Sequence, residues 1–383
     1  MWQVFKQFFL LGWTSFGGPA AHLGYFQQVF VQRLAWVDQR QYASMVALSQ
    51  FLPGPGSSQV GFAIGYQRAG LVGGLAAFMG FTFPSFLIMA SLASFSAAYI
   101  GHSWVDGIIS GLKLLAVVIV ADACQKMFQS FCRQTTTIIV AILSALVLIV
   151  VPSFWTQVWV LIVAAVGGAI FLGVNKNNEP VQGHISVSHR LSLVLFVVLF
   201  VCAFFFNNLN PILTLWNDFF VAGSLVFGGG HVVLPLLQTM AADSLSPDQF
   251  LTAYGAAQAL PGPMFALASY LGALILPQQL VLGASVATLA IFTPGLLLMY
   301  ALLPSWQNIA NRPRWTGAIA GINASVVGIL LAALYQPIFV SAVHGVSDLL
   351  WVLIGLLVLV RFKVPVWSLV IGFAVLGIVL SGF

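Results

Sequence analysis

Two motifs occur twice in this chain, in the same order and about 210 residues apart. Phe16-Gly17-Gly18-Pro19 precedes Leu52-Pro53-Gly54-Pro55, and Phe227-Gly228-Gly229-Gly230 precedes Leu260-Pro261-Gly262-Pro263. Chance matches would not keep register over such a distance. We therefore predict two homologous halves, residues 1–174 and 207–383, joined by a linker and one extra crossing over residues 175–206.

The composition indicates that the chain folds in a lipid bilayer. Hydrophobic residues make up 60% of the chain and charged residues only 5%, and several uncharged runs exceed the roughly 20 residues that cross a bilayer as a helix. These values predict an all-α polytopic membrane protein and exclude a β-barrel or a soluble core. The first apolar run lacks a small-residue cleavage site, so we expect it to be mature protein. The expected partner is lipid, with no role for nucleic acid.

Apolar stretches too short to cross alone flank each glycine- or proline-rich turn. Proline lacks an amide hydrogen and glycine weakens helices, so each pair predicts a broken or re-entrant helix. In the first half these pairs are residues 2–14 with 20–33 and 41–52 with 57–67. The predicted hinges are Pro53, Pro55, Gly228, Gly229, Pro261 and Pro263. Full crossings are predicted at residues 71–98, 104–127, 135–151, 155–174, 191–206, 279–303, 315–340, 349–359 with flanks, and 366–380.

Basic residues predict the orientation, because short loops rich in lysine and arginine stay cytoplasmic. If the broken pairs are re-entrant, all but one of the 13 basic residues lie inside. Residues 71–98 then run outward, whereas residues 279–303 run inward. The two halves are therefore predicted to be inverted, with discontinuous helices around a central site as in many secondary transporters.

Polar residues at one turn indicate an anion site. Ser57, Ser58 and Gln59 directly follow the first Pro-Gly-Pro turn, where a helix N-terminus offers amide hydrogens and partial positive charge. The equivalent residues in the second half, 264–267, are apolar. We therefore expect the first half to bind substrate and the second to support it. A packing hinge is the alternative for both turns.

Lys113 is the one basic residue far from a predicted loop. An intramembrane charge costs several kcal/mol unless it is paired, so a functional role is the default hypothesis. Asp106, seven residues earlier and on nearly the same helical face, is the structural alternative as an ion-pair partner. The counterpart in the second half, Asn323, is neutral.

Acidic residues favour an anion as substrate, because a cation carrier needs several buried carboxylates. Asp218 alone is predicted to lie at depth, and it is a candidate for a coupling proton or a structural carboxylate. His22 and His231 each follow a glycine motif and are candidate donors or structural histidines. Tyr25 and Gln50 have the same two interpretations. Cys124, Cys132 and Cys202 show no metal-ligand or disulfide pattern, and no catalytic motif is present, so we expect no enzyme, metal or cofactor.

The motif set resembles the chromate ion transporter family over nearly the whole chain. The resemblance is carried by residues 16–22, 47–55, 61–66 and 80–85 in the first half and by residues 227–231 and 259–263 in the second. It implies a bacterial inner-membrane secondary carrier that exports chromate, a tetrahedral sulfate-like dianion, using the proton-motive force.

Together these inferences give a hypothetical site and open alternatives. The candidate substrate-binding residues are Gly17, Gly18, His22, Gln50, Gly54, Ser57, Ser58, Gln59 and Lys113. Uptake of sulfate or another anion, and a membrane scaffold without transport, are the competing functions. A homodimer is an assembly that the sequence leaves open.

Overall fold

The computed structural model describes residues 1–98, 102–173, 187–205, 210–227, 230–240, 244–306 and 312–380, and every regular element in those residues is a helix. Six of these helices are long and apolar enough to cross a membrane. They are Gly56–Ser96, Trp104–Phe131, Phe154–Phe171, Val187–Phe205, Pro277–Ser305 and Pro313–Ala342. The predicted all-helical class is therefore confirmed.

The described residues before 206 form eight α-helices. They are α1 Trp2–Thr14, α2 Gly18–Phe26 with a π-helical extension Gln27–Arg33, α3 Gln39–Phe51, α4 Gly56–Ala98, α5 Ser103–Phe131, α6 Thr135–Val150, α7 Phe154–Phe171 and α8 Val187–Phe205. The described part of the remaining chain contains α9 Pro211–Leu225, α10 Val233–Met240, α11 Pro247–Ala259, α12 Leu267–Ile275, α13 Leu280–Leu302, α14 Pro313–Ala333, α15 Val340–Ala342, α16 Val346–Phe362 and α17 Val366–Leu380. Short 3-10 turns Gly230–Val232 and Met264–Ala266 precede α10 and α12.

The first-half broken pairs fold back as hairpins. Phe8 of α1 stacks on Phe30, with ring centroids 4.5 Å apart, so α1 and the π-helical extension of α2 run antiparallel. The guanidinium of Arg68 lies 5.5 Å from the ring of Trp36, which brings the start of α3 beside the end of the first arm of α4. Each pair thus begins and ends at the same end of the fold.

The second-half pairs have the same arrangement. A cavity of about 440 Å³ is lined by Asn210 and Asp218 of the α9 region, by Met240 and Ser244, and by Leu276. The start of α9, the end of α10 and the end of α12 therefore lie together at one end. The tips of these hairpins, residues 226–227 and 260–263, point the other way.

A sharp turn divides α4 into a short arm, 56–68, and a long arm, 71–98. Gly70 has φ +64°, a left-handed conformation that side chains disfavour. Gly65 and Gly73 lie in direct contact across this turn, with no room for a side chain on either. Gly272 and Gly283 make the equivalent contact between α12 and α13. The same glycine pair thus closes the same turn in both halves.

The long arm of α4 packs antiparallel to α13. Phe78 of the long arm contacts Phe292 of α13 with ring centroids 5.1 Å apart, and Tyr66, just before the turn, contacts Tyr300 near the end of α13 at 5.4 Å. At the far end, the hydroxyl of Tyr270, in α12 just before α13, lies 2.9 Å from Ser96 Oγ. The bases of the first-half hairpins therefore lie at the N-terminal end of the long arm, and those of the second half at its C-terminal end.

The last helices of each half pack on the other half. Gly111 of α5 lies directly against the backbone of Phe373 in α17, and Gly321 of α14 lies against the backbone of Ala164 in α7. Gly111 and Gly321 hold equivalent positions in the two repeats. Small residues at such crossings allow close backbone approach, which drives helix association in lipid.

One predicted boundary and one predicted uninterrupted helix differ from the structure. Helix α8 begins at Val187, inside the stretch predicted as a polar connector to residue 190. The helix predicted over 315–340 lies within the span Pro313–Ala342, but it is interrupted after α14, because Gln336 is extended (φ −130°, ψ 120°) and precedes Pro337. The hinge predictions at Gly228 and Gly229 lie outside the described residues.

Candidate functional site

The tips of the hairpins from the two halves meet and exchange equivalent hydrogen bonds. The Gly54 amide donates to the Val226 carbonyl at 2.7 Å, and the Gly262 amide donates to the Ser15 carbonyl at 3.0 Å. Val226 holds the same position in the second repeat as Ser15 in the first. Each Pro-Gly-Pro turn is therefore bonded to the glycine-motif break of the other half, as in a two-fold symmetric interface.

Both turns require glycine. Gly54 has φ +109° and Gly262 has φ +94°, where a Cβ introduces strain. A Cβ added to Gly54 would lie 3.0 Å from Gly295 Cα, and one on Gly262 would lie 2.9 Å from Ser85 Oγ. The turns thus press against α13 and the long arm of α4, beside Pro294 and Pro84.

His22 connects the first glycine motif to the first turn of α4. Its Nε2 lies 3.2 Å from the Ser15 carbonyl oxygen, and its Nδ1 lies 3.3 Å from Ser57 Oγ. A carbonyl only accepts, so Nε2 carries the proton and the Ser57 hydroxyl donates to Nδ1. Ser15, His22 and Ser57 are at most 3% exposed, so the described conformation closes the cluster to solvent.

Gln59 bridges the two halves. Its Nε2 donates to the Pro53 carbonyl at 2.8 Å and to the Gly295 carbonyl at 3.1 Å. These two bonds use both amide hydrogens of a glutamine. In this conformation Gln59 holds the turn against α13 and offers no hydrogen to an anion, which differs from the donor role that its position predicts.

Buried oxygens without a hydrogen-bond partner concentrate where the tips of the hairpins meet. Within the described residues, eight buried side-chain oxygens have no hydrogen-bond partner in the protein, and four of them lie on the elements that form the tip: Ser15 Oγ, Ser58 Oγ, Gln59 Oε1 and Thr82 Oγ1. Leaving such a group unsatisfied costs about 1–3 kcal/mol. The first amides of α4 also lack helical acceptors, as at every helix N-terminus. Hydroxyls and amides of this kind donate to an oxyanion.

Sequence reasoning missed Ser15 and Thr82. Ser15 contributes a carbonyl, which any residue carries, and a buried hydroxyl, and a lone serine before the glycine motif gave no signal of either. Thr82 lies in the Gly80–Ser85 stretch, and its position two residues before Pro84 was the available clue. Ser85, next to the second turn, donates to the Thr82 carbonyl at 3.0 Å.

Lys113 pairs with the second half. Its Nζ lies 2.8 Å from Asp248 Oδ1 in the first turn of α11, and the two side chains are 14% and 54% exposed. The ion-pair partner is thus Asp248 and not Asp106. A helix pattern cannot identify this partner, because Asp248 lies on another helix far along the chain.

The other predicted residues surround the tip or lie apart from it. Gly17 (φ +99°) caps the start of α2, and Gly18 begins it. Gln50 is exposed at the end of α3, and Tyr25 is 38% exposed. Asp218 lines the 440 Å³ cavity at the base of the second-half hairpins.

At the tip of the second-half hairpins, the polar side chains pair with each other. His231 Nδ1 lies 2.7 Å from the Tyr254 hydroxyl, and Gln258 Nε2 lies 2.7 Å from Met264 Sδ. Met264 and Phe265 are buried and fill the space after the second turn. The polar atoms of this tip therefore satisfy each other, unlike those of the first.

Metal ligands do not cluster in the described part of the chain: no three His, Cys, Asp or Glu side chains come together there. Cys124, Cys132 and Cys202 are all unpaired thiols. The site is thus built from hydroxyls, amides and imidazole.

Comparisons with known proteins identify the family of the chain. The chromate transporter family model matches residues 2–171 and 213–378. A Synechococcus elongatus protein named a probable chromate transport protein is 26% identical, covering 98% of this chain and 95% of its own length. A chromate transport protein of Cupriavidus metallidurans is also 26% identical, covering 98% and 92%. An uncharacterized transporter of Methanocaldococcus jannaschii is 24% identical, covering 86% and 82%. No solved structure matches significantly. The chain is a multi-pass membrane protein that belongs to the chromate transporter family, a family of transporters and not of enzymes.

Proposed function

We propose that this protein is a secondary active transporter that exports chromate across the bacterial inner membrane and is coupled to the proton-motive force. The observation that carries the proposal is the set of unpartnered buried hydroxyls where discontinuous helices of both halves meet. Half-helix termini near the midplane are where secondary carriers bind anions. Curated relatives named as chromate transport proteins supply the choice of anion.

The anion binds at the N-terminus of α4. Ser58 and Ser15 donate their hydroxyl hydrogens, and the first amides of α4 add the partial charge of the helix end. His22 and Ser57 position this turn, because their hydrogen bonds link it to the Ser15 carbonyl. Gly17, Gly18 and Gly54 shape the backbone around the anion, and Gln50 lies at the approach.

The two halves are inverted with respect to the membrane. Support comes from the antiparallel packing of α4 and α13, which separates the hairpin bases of the two halves. The equivalent bonds of Gly54 and Gly262 supply a symmetric contact that can break on one side at a time. Alternating access then exposes the tip first to one face and then to the other.

Lys113 exchanges Asp248 for the anion during transport. The pair is partly exposed, and ion pairs of that kind are worth about 0–1 kcal/mol, so little free energy holds them together. Asp218 is the proposed site of the coupling proton, since it lines an open cavity on α9, the helix that ends at the second tip.

Flux in everted membrane vesicles tests the proposal. Vesicles with the protein are expected to accumulate chromate under an imposed proton gradient, to stop when a protonophore is added, and to slow when sulfate competes. Vesicles with an empty vector are the control. Sulfate-driven flux in the opposite direction would favour an importer, and an absence of flux would favour a scaffold; either result contradicts chromate export.

A further inference from the structure

A second cluster of unpartnered oxygens lies between the halves, away from the tip. Gln157 of α7 and Gln238 of α10 each have a buried Oε1 without a partner in the protein. Both line a cavity of about 250 Å³ that Gln336 also lines. The three glutamines therefore come from a first-half helix, a second-half hairpin and the break after α14.

The cavity is a built site and not a gap in packing. Gln157 is only 5% exposed, and a buried carboxamide oxygen without a partner costs about 1–3 kcal/mol. Pro152, Pro235 and Pro337 line the same space. Gln336 reaches it because its extended backbone interrupts the helix there.

Neutral carboxamides define the chemistry of the cavity. Its lining carries no ionisable side chain: the remaining residues are Leu148, Ile329, Ala332 and Ala333. Rotation of a carboxamide presents either its N–H₂ or its oxygen, so three glutamines can direct several donors at one ligand. Groups of neutral N–H donors bind oxyanions in proteins, and a cavity without a carboxylate offers a buried cation no compensating charge.

We infer that this glutamine cavity is a second binding site for a tetrahedral oxyanion. It lies at the far end of α14 from Arg312 and Arg314. Gln336 occupies the position equivalent to Lys126 of the first repeat, so the cavity lacks the charge present at the corresponding place in the other half. Neutral donors hold an anion weakly and release it, which suits a station where the ion leaves. The free anion and the phosphate of a lipid headgroup are the two possible sources, and the free anion rests on the proposed function.

Sulfate binding to purified full-length protein tests the inference. Titration calorimetry on delipidated protein in detergent, at ionic strength balanced with chloride, measures affinity for wild type, Gln157→Met, Gln238→Met and Gln157→Glu. The matched control is Gln125→Met, since Gln125 is exposed on α5. We expect two binding sites in the wild type. Each Met variant should weaken one of them roughly tenfold, and Gln157→Glu should abolish it by adding a like charge. The control should change neither site.

The outcomes separate the possibilities. If Gln157→Glu binds sulfate at both sites as the wild type does, or gains affinity for cations, the inference is wrong. If delipidated wild type binds one sulfate, but phosphatidylglycerol binds and is lost in Gln157→Glu, the oxyanion is a lipid phosphate. If neither probe binds at the cavity, the inference fails. Chromate flux in vesicles tests the two proposals separately. Flux with an unchanged KM for chromate in the glutamine variants would reject the cavity as a transport station. An absence of flux in the wild type would reject the proposed function.

Discussion

Ser58 differs from both of its neighbours in the first turn of α4. The Ser57 hydroxyl bonds to His22 and the Gln59 amide bonds to two carbonyls, but the Ser58 hydroxyl is buried at 1% exposure without a partner. The sequence predicts all three as equal donors at a helix N-terminus. The structure distinguishes them, because partners such as Gly295 come from distant segments that local patterns do not reveal.

Removing the Ser58 hydroxyl should affect transport more than stability. Ser58→Ala loses a hydrogen bond to a charged substrate, worth about 1.5–3 kcal/mol, so KM for chromate should rise roughly tenfold or more. Since no protein contact is lost, the melting temperature in detergent should stay the same or rise. Ser94→Ala, at an exposed serine on the same helix, is the control. Unchanged chromate flux in Ser58→Ala vesicles would remove Ser58 from the site.

Substitutions of Lys113 and of Asp248 should change the KM for chromate in opposite directions. Lys113→Gln removes the charge that attracts the anion, so KM for chromate should rise. Asp248→Asn frees the ammonium, so KM should fall. The partly exposed pair contributes about 0–1 kcal/mol, and neither change should lower the melting temperature by more than a few degrees. If both variants shift KM in the same direction, the pair is structural and Lys113 does not meet the anion.

The helices and their breaks were largely predictable, because proline, glycine and apolar run length act locally. The turns at residues 53–55 and 261–263, the break after α1 and the span of α17 all agree with the sequence. The interruption at Gln336 was missed, although Pro337 was the available signal. The helix crossings at Gly111 and Gly321 were not predictable, since their partners lie in the other half.

The two Pro-Gly-Pro turns should respond alike to a methyl group. Gly54→Ala and Gly262→Ala force alanine into left-handed φ values and against Gly295 or Ser85, which should cost about 2 kcal/mol or more. Gly24→Ala is the control, because Gly24 lies in helical α2 with open space around it; it should be neutral or stabilising. Thermal unfolding in detergent measures all three. Equal melting temperatures for Gly54→Ala and Gly24→Ala would contradict a strained turn.

The arrangement of the whole molecule depends on which way each half faces, and a labelling experiment tests this. In a background without cysteine, Gly345→Cys before α16 should react with a membrane-impermeant maleimide from outside in intact cells. Arg314→Cys at the start of α14 should react only after permeabilisation. Gly345 has extended backbone and open space, so the change is tolerated. Labelling of Arg314→Cys in intact cells would contradict the inverted arrangement.

Helix α7 packs on the second half and α17 packs on the first, which has a consequence for the order in which the chain folds during synthesis. Helix α7 emerges from the ribosome well before α14, against which Gly168 packs, and α5 waits even longer for α17. The first repeat cannot complete its packing while it is the only part synthesised. A nascent chain must hold α5 and α7 in the bilayer with unfilled small-residue faces until the last helix arrives. Truncation before α17 should therefore leave the first repeat open to membrane proteases, even though every residue of that repeat is present.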